Sequence, residues 1–304
     1  MKRSAANVGA SVRARLGALA REKEINLELL LVRYAHERLL YRLGQSKYRQ
    51  RFILKGAMLQ TIWLADPFRP TRDLDLLGHG DSEPNSLRTA FREILAIECD
   101  DGVAFDLDGL SVEPIREETE YGGQRIETTA RIAGARLKIR IDLGFGDAVT
   151  PDADEVAYPV LLDQPAPRVR AYPKETVVAE KLQAIVALGA TNGRMKDFYD
   201  LWMMSRHFAF EAALLAKAIA ATFERRRTPL PASMPVGLSD EFATDAAAVR
   251  RWGFFTSRNI LSEQPGSLTD VIKALRGFLM PVVHLASGSE ADAILWPPGG
   301  PWSR

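Results

Sequence analysis

Between Phe52 and Leu77 the chain reads Phe-Ile-Leu-Lys-Gly-Ala-Met-Leu-Gln-Thr-Ile-Trp, a short loop, and then Arg-Pro-Thr-Arg-Asp-Leu-Asp-Leu-Leu from Arg69. An apolar run, a glycine, apolar residues at helical spacing and a second apolar run holding alternate acids can be laid down in few ways. The pattern predicts a strand, a turn at Gly56, a helix near Met58 to Ala65 and a second strand carrying Asp73 and Asp75. Side chains alternate along a strand, so both aspartates leave one face, roughly 6.6 Å apart, while Leu74 and Leu76 enter a core. Carboxylates so placed repel and raise each other's pKa, an arrangement that a divalent cation relieves. Taken alone, Asp-x-Asp is more often a pair of solvated charges.

A third acid strengthens the pattern. In Leu137-Lys-Ile-Arg-Ile-Asp-Leu the apolar residues share one face, leaving Lys138, Arg140 and Asp142 on the other. If that strand neighbours the one with Asp73 and Asp75, three carboxylates meet on a patch able to hold two magnesium ions about 3.5–4 Å apart, the separation used for in-line phosphoryl transfer. The plain alternative pairs Asp142 with Arg140. Gly56 and Ala57 open the predicted helix, whose free N–H groups and dipole suit a triphosphate, and Lys55 adds a point charge.

Around this block lie an amphipathic helix with Ile25, Leu29, Val32, Leu39 and Leu43 inward and Arg33, Glu37, Arg38 and Arg42 outward, ending at Gly44. Further signals are a helix over Ser86 to Glu98, turns at Tyr121-Gly-Gly-Gln and Ala133-Gly-Ala flanking an antiparallel pair (Arg125 to Ile132 with Arg136 to Leu143), and a run Val160-Leu-Leu. The sheet is therefore expected to be mixed. Past the proline-rich Pro165 to Pro173 the spacing turns helical, broken near Thr228-Pro-Leu-Pro, and the tail from Trp296 is expected to lack regular structure. This divides the chain into N-terminal basic helices over 1–50, an α/β core over 51–165 and a helical domain over 166–304.

Composition narrows the function. With 46% hydrophobic and 26% charged residues over 304, the balance is that of a soluble globular protein. One cysteine, Cys99, permits no intrachain disulfide and fits a reducing, cytoplasmic setting; no leader pattern and no run of ~18 apolar residues point to a membrane. Residues 1–55 hold thirteen Lys or Arg against four Glu, so a charge of +9 there is offset by −8 elsewhere, and a basic region of this kind can attract a polyanion. Gly144-x-Gly146 lacks the third glycine of a dinucleotide fingerprint, and neither a Gly-x-Ser-x-Gly elbow nor a phosphate-loop motif occurs. The histidines His36, His79, His207 and His284 are read as structural.

A second dense stretch is Ala179-Glu-Lys-Leu-Gln-Ala, a Thr-Asn-Gly turn, then Lys196-Asp-Phe-Tyr-Asp-Leu. Lys181 sits beside an apolar stripe, and Asp197 and Asp200 share a helix face. Helical salt bridges would account for these charges without any function.

The ordered set does more than its parts. Lys55-Gly56-Ala57, then Arg69-x-Thr-x-Asp73-Leu-Asp75, a strand ending in Asp142, Ala-Glu-Lys181-Leu-x-Ala and Lys-Asp197-x-Tyr-Asp200-Leu together resemble the nucleotidyltransferase toxin family of AbiEii/AbiGii type, which includes MenT-like toxins of type IV toxin–antitoxin systems. The resemblance runs from about Phe52 to Trp202. It implies an α+β chain with a polymerase-β-like nucleotidyltransferase core, a helical C-terminal domain, magnesium, an NTP substrate, an RNA acceptor such as the tRNA 3′ end, a cognate antitoxin and a link to phage defence. By motif, Asp73 and Asp75 correspond to the metal-binding pair and Asp142 to the third carboxylate. Lys55, Gly56 and Ala57 fall in the phosphate-binding turn, Arg69 in the loop before the acids, and Lys181 at a triphosphate contact, so Lys181→Ala is expected to weaken NTP affinity and leave the fold intact. The last acid is Asp197 or Asp200.

One position departs from the family. Its turn reads Gly-Ser or Gly-Gly, and Ala57 removes a hydroxyl whose hydrogen bond to a charged group is worth ~1.5–3 kcal/mol. The competing expectation is a degenerate module of the same fold that binds NTP or a partner without turnover.

Overall fold

The computed structural model describes residues 5–64, 69–115, 123–289 and 293–303; the expected turn at Tyr121-Gly122 and the end of the expected helix at Ala65 lie outside them. Two compact units divide the chain, one of Met1–Gly146 with Asp154–Ala171, the other of Asp147–Ala153 with Tyr172–Arg304.

The first unit opens with α1 (Ala5–Glu22) and α2 (Leu27–Gln45). Val12, Leu16 and Ala20 recur every fourth residue of α1 and are buried, which supplies its inward stripe. Asn26 caps α2 by accepting from the Glu28 N–H. The polar face expected of α2 is not solvated, because the segments around Asp101 and Leu161 cover it. Glu37, Arg38 and Arg42 are buried: Arg42 donates to both Asp101 oxygens at 2.6 and 3.2 Å, Arg38 to the Pro165 carbonyl at 2.9 Å, and Glu37 accepts from the Leu161 N–H at 2.8 Å. Those two arginines hold the fold together and are not presented to a polyanion.

Next come β1 (Phe52–Lys55), a 3-10 turn over Gly56–Leu59, α3 (Gln60–Trp63), β2 (Leu74–Gly78), α4 (Pro84–Leu95), β3 (Ala104–Phe105), β4 (Ser111–Ile115), β5 (Gly123–Ile132), β6 (Ala135–Phe145), β7 (Asp154–Ala157) and β8 (Arg168–Ala171). The strands form one eight-stranded sheet in the order β3-β5-β6-β2-β1-β8-β7, with β4 also on β5. Parallel pairs β2–β6 and β1–β8 beside antiparallel ones make it mixed, as expected. Ala133 and Gly134, at φ 43° and 81°, form the two-residue turn that joins β5 to β6 with the favoured twist. Leu74, Leu76, Ile126, Ile139, Ile141 and Leu143 are buried together, with α2 against β6 and β8 and α4 against β4.

Several local expectations shift. The helix after Gly56 is a 3-10 turn and a single α turn, and Asp73 lies just before β2 rather than inside it. Val160-Leu-Leu forms no strand; Leu161 gives its N–H to Glu37, which removes it from any ladder. The strand at this place is β8, inside the proline-rich stretch and parallel to β1.

The second unit is helical: α5 (Lys174–Leu188), α6 (Met195–His207), β9 (Phe210–Glu211), α7 (Ala212–Arg225), α8 (Asp240–Thr244), α9 (Ala246–Arg258), α10 (Leu268–Ala286) and β10 (Leu295–Trp296). Ser239 and Asp245 cap α8 and α9, and a Ser267–Asp270 capping box starts α10. The tail from Pro297 to Ser303 has neither helix nor strand, as expected; only Trp296 departs, as the end of β10, which pairs with β9. Trp296 donates to the Ser205 carbonyl at 2.6 Å and its ring lies 4.9 Å from Phe278, so aromatic burial anchors a segment without regular structure. Among the described residues no helix is long and apolar enough to cross a membrane.

Candidate active site

Strand register assembles the site in the first unit. Lys55 faces Asp75 across β1–β2, Asp75 faces Asp142 across β2–β6, and Asp142 faces Arg125 across β5–β6. Directly opposed residues point to the same side of a sheet, and neighbouring strands lie about 4.8 Å apart. One row of charges, Lys55, Asp75, Asp142 and Arg125, therefore crosses four strands on the face opposite Leu74, Leu76, Ile141 and Leu143, and Asp73 joins that face two residues upstream of Asp75. The three predicted carboxylates thus share one surface.

The cations beside them were not foreseen. Arg125 holds Asp142 as a fork, Nε to Oδ1 at 2.7 Å and Nη2 to Oδ2 at 2.8 Å, and this hydrogen bonding to Asp142 pushes the guanidinium pKa up. The expected partner of Asp142, Arg140, instead reaches Glu127 at 3.1 Å and Asp73 at 3.5 Å, while Lys138 takes the other Glu127 oxygen at 2.8 Å. Glu127, held low by Lys138, is the anchor of this second cluster.

Gly56 has a φ of 74° and sits so close to Asp75 that a Cβ would overlap Oδ2. Only glycine satisfies both the left-handed backbone and the approach of the carboxylate. The turn where a phosphate was expected has an acid beside it. Ala57 is half-buried within the 3-10 turn, and Arg69, half-buried, follows the undescribed residues 65–68.

Lys181, Asp197 and Asp200 come together in the second unit. The Lys181 ammonium donates at 2.7 Å to Asp197 on α6 and 2.9 Å to Asp200, and Arg194 Nε reaches Asp197 at 2.6 Å. Both acids accept from Lys181, and the bridge runs between α5 and α6 rather than along one helix. Burial pushes the Asp197 carboxyl up, but Lys181 and Arg194 outweigh it and the net direction is down. One residue earlier on α5, Glu180 meets Arg226 at 3.3 Å, and Arg226 also holds Asp147 at 2.9 Å. Sequence reading missed this cluster because Asp147 and Arg226 are far apart along the chain.

As metal ligands, Asp73, Asp75 and Asp142 have the hard oxygen chemistry that magnesium selects. Among the described residues, however, no group of three or more His, Cys, Asp or Glu is gathered so as to hold an ion, and both Asp142 oxygens are committed to Arg125. The pair Asp73 and Asp75 fits the ion; Asp142 fits once its guanidinium has moved.

The fold and these motifs can be set against known proteins. No curated protein matches the chain. A crystal structure of a candidate nucleotidyltransferase from H. pylori aligns with 87% of this chain and 98% of its own at 15% identity and a TM-score of 0.51, which shows the shared fold. JHP933 from Helicobacter pylori aligns over 83% and 90% at 14% identity and a TM-score of 0.47. A family model described as nucleotidyl transferase AbiEii toxin, type IV toxin–antitoxin system, matches residues 38–277, a span that contains every candidate site residue named above. The chain belongs to the AbiEii nucleotidyl transferase toxin family.

Proposed function

We propose that the chain transfers a nucleotidyl group from an NTP to an RNA hydroxyl, with the tRNA 3′ end as acceptor, and that an antitoxin restrains it. The observation that carries this reading is the placement of Asp75 and Asp142 in register on adjacent strands, with Asp73 on the same face. In the reaction the RNA hydroxyl oxygen attacks the α-phosphorus in line and gives up its proton to solvent water, the bond from that phosphorus to the oxygen bridging to the β-phosphate breaks, and pyrophosphate leaves. A divalent cation at Asp73 and Asp75 would supply Lewis acidity, lowering the pKa of the attacking hydroxyl and neutralising charge on the triphosphate.

The chain's own groups do the rest. Lys55, in register with Asp75, brings positive charge to the end of the row. Gly56 lets the Asp75 carboxylate lie against the turn, and Arg69 stands four residues before Asp73 in the chain. In the second unit Asp197 and Asp200 fix the direction of the Lys181 ammonium, the group to which the family resemblance gives a triphosphate contact. Ala57 and the capture of Asp142 by Arg125 favour one competing reading, a binding module without turnover.

Purified protein incubated with each labelled NTP, magnesium and total RNA decides between them. Label is expected in RNA with the wild-type chain and not with Asp75→Ala. Label that persists in the variant refutes the assigned site, and no label with any NTP supports the binding module.

A further inference from the structure

The charged row has a fifth member. Beyond Arg125, on the strand at its other side, Glu113 of β4 is the direct cross-strand partner and is exposed. Arg125 therefore stands between two carboxylates on one sheet face, Asp142 to one side and Glu113 to the other, each within reach of a long side chain across a single strand spacing of about 5 Å. It is bound to Asp142 through both oxygens. Its side chain is 34% exposed and that of Asp142 21% exposed, so the guanidinium can rotate without opening the core.

We infer that Arg125 is a two-position latch: it holds both oxygens of Asp142 and passes to Glu113 when Asp142 turns to a divalent cation. The inference rests on the metal-dependent reading of the site above. A fork of two hydrogen bonds fills the lone pairs through which a carboxylate would chelate an ion, so ion and guanidinium compete for the same oxygens. Asp73 needs no such latch. Its contact with Arg140 is a single one at 3.5 Å, and Arg140 already has Glu127 at 3.1 Å. The latch makes Asp142 the last ligand to be committed, and it spares the sheet an uncompensated group of acids.

Binding of Mn2+ alone to the full chain, read by the loss of its free-ion electron paramagnetic resonance signal, tests this without any turnover. Arg125→Gln is expected to tighten Mn2+ binding about tenfold, since a unit charge a few ångströms away is removed together with the competitor. Arg125→Lys, which keeps the charge and loses the fork, should fall between. Glu113→Gln should weaken binding several-fold in the wild-type background and have little effect on top of Arg125→Gln, because Glu113 acts only by receiving the guanidinium. Circular dichroism of each variant confirms the fold.

If wild type binds Mn2+ and Arg125→Gln binds it no tighter, the latch is wrong and the metal reading stands. A Glu113→Gln effect of equal size in both backgrounds is a simple field effect and overturns the two-position model. If neither wild type nor Arg125→Gln takes up Mn2+, the latch and the metal reading fall together, whereas label transfer to RNA reports on the proposed reaction separately.

Discussion

Replacing Lys181 with methionine keeps most of the side-chain volume and deletes the ammonium. In the folded chain the Lys181 side chain is 16% exposed, and its ammonium lies 2.7 and 2.9 Å from the carboxylates of two side chains that are each 1% exposed. Removing one partner of a buried ion pair costs about 3–5 kcal/mol, chiefly because charge is left behind without compensation. Arg194 stays on Asp197 at 2.6 Å, which places the loss near 3 kcal/mol. At roughly 2–4 °C per kcal/mol for a domain of this size, the melting temperature at pH 7.5 should fall by about 6–12 °C. The pH dependence follows from Asp197. Its carboxyl is held low in the fold, so it contributes stability above the unfolded pKa that is lost as pH falls through the folded value. Without Lys181, burial dominates and raises the folded pKa; the resulting cost is present at high pH and disappears as the carboxyl protonates. The gap between variant and wild type should therefore narrow from pH 7.5 to pH 4.5 in thermal melts followed by circular dichroism. A drop below about 2 °C at pH 7.5, or an equal gap at both pH values, refutes the reasoning. The sequence-based expectation that removing Lys181 leaves the fold intact is revised accordingly, and NTP affinity of such a variant has to be measured well below its melting temperature.

Gly56→Ala should destabilise by about 1–3 kcal/mol through the positive φ and displace Asp75 by steric overlap, so denaturant unfolding and label transfer should both suffer; a variant normal in both would show that the turn tolerates a side chain. Glu37→Gln should alter how stability varies with pH. Burial pushes the Glu37 carboxyl up to about 7 from 4.5 despite Leu161, Arg33 and Arg38, so the fold binds a proton that the unfolded chain lacks and loses stability as pH rises through that window. Burial pushes neighbouring His36 down to about 4 from 6.5, with the opposite slope. Wild type should be nearly flat between pH 4.5 and 6.5, whereas Glu37→Gln should gain stability with rising pH; urea titrations giving identical profiles would contradict the assignment.

Asp75 and Asp142 were legible in the sequence because each is placed by alternation within its own strand. Leu74 and Leu76 bracket Asp75, Ile141 and Leu143 bracket Asp142, and burial of these four on one face settles where the carboxylates must point. The helix after Gly56 was overestimated, since Met58, Leu59 and Ile62 fit a helical period that the chain follows for only two short turns. Arg38 and Arg42 were misplaced for a related reason. A periodic stripe identifies one buried face and is silent about a second covering layer, here supplied by Asp101, Leu161 and Pro165. Trp296 in the tail carried a usable signal, a large aromatic ring next to breakers, but burial of that ring depends on Phe210 and Phe278 being nearby.

Arg125 is the instructive omission, because the information was present. A two-residue turn at Ala133-Gly134 sets the register of the whole hairpin: Ile132 must face Ala135, and counting outward Arg125 must face Asp142. Glu113, opposite Arg125 on β4, could not be found by this count, because no two-residue turn joins β4 to β5. Reading a strand for its periodicity finds the acid, and reading the hairpin for its register finds the cation that neutralises it. The two readings have different consequences: three carboxylates on one face suggest an open ion site, whereas the same three with a guanidinium forked onto one of them leave only two acids uncommitted to that fork. On the latch proposed above, the charge balance of the sheet, as much as the presence of its acids, sets when a divalent ion is held.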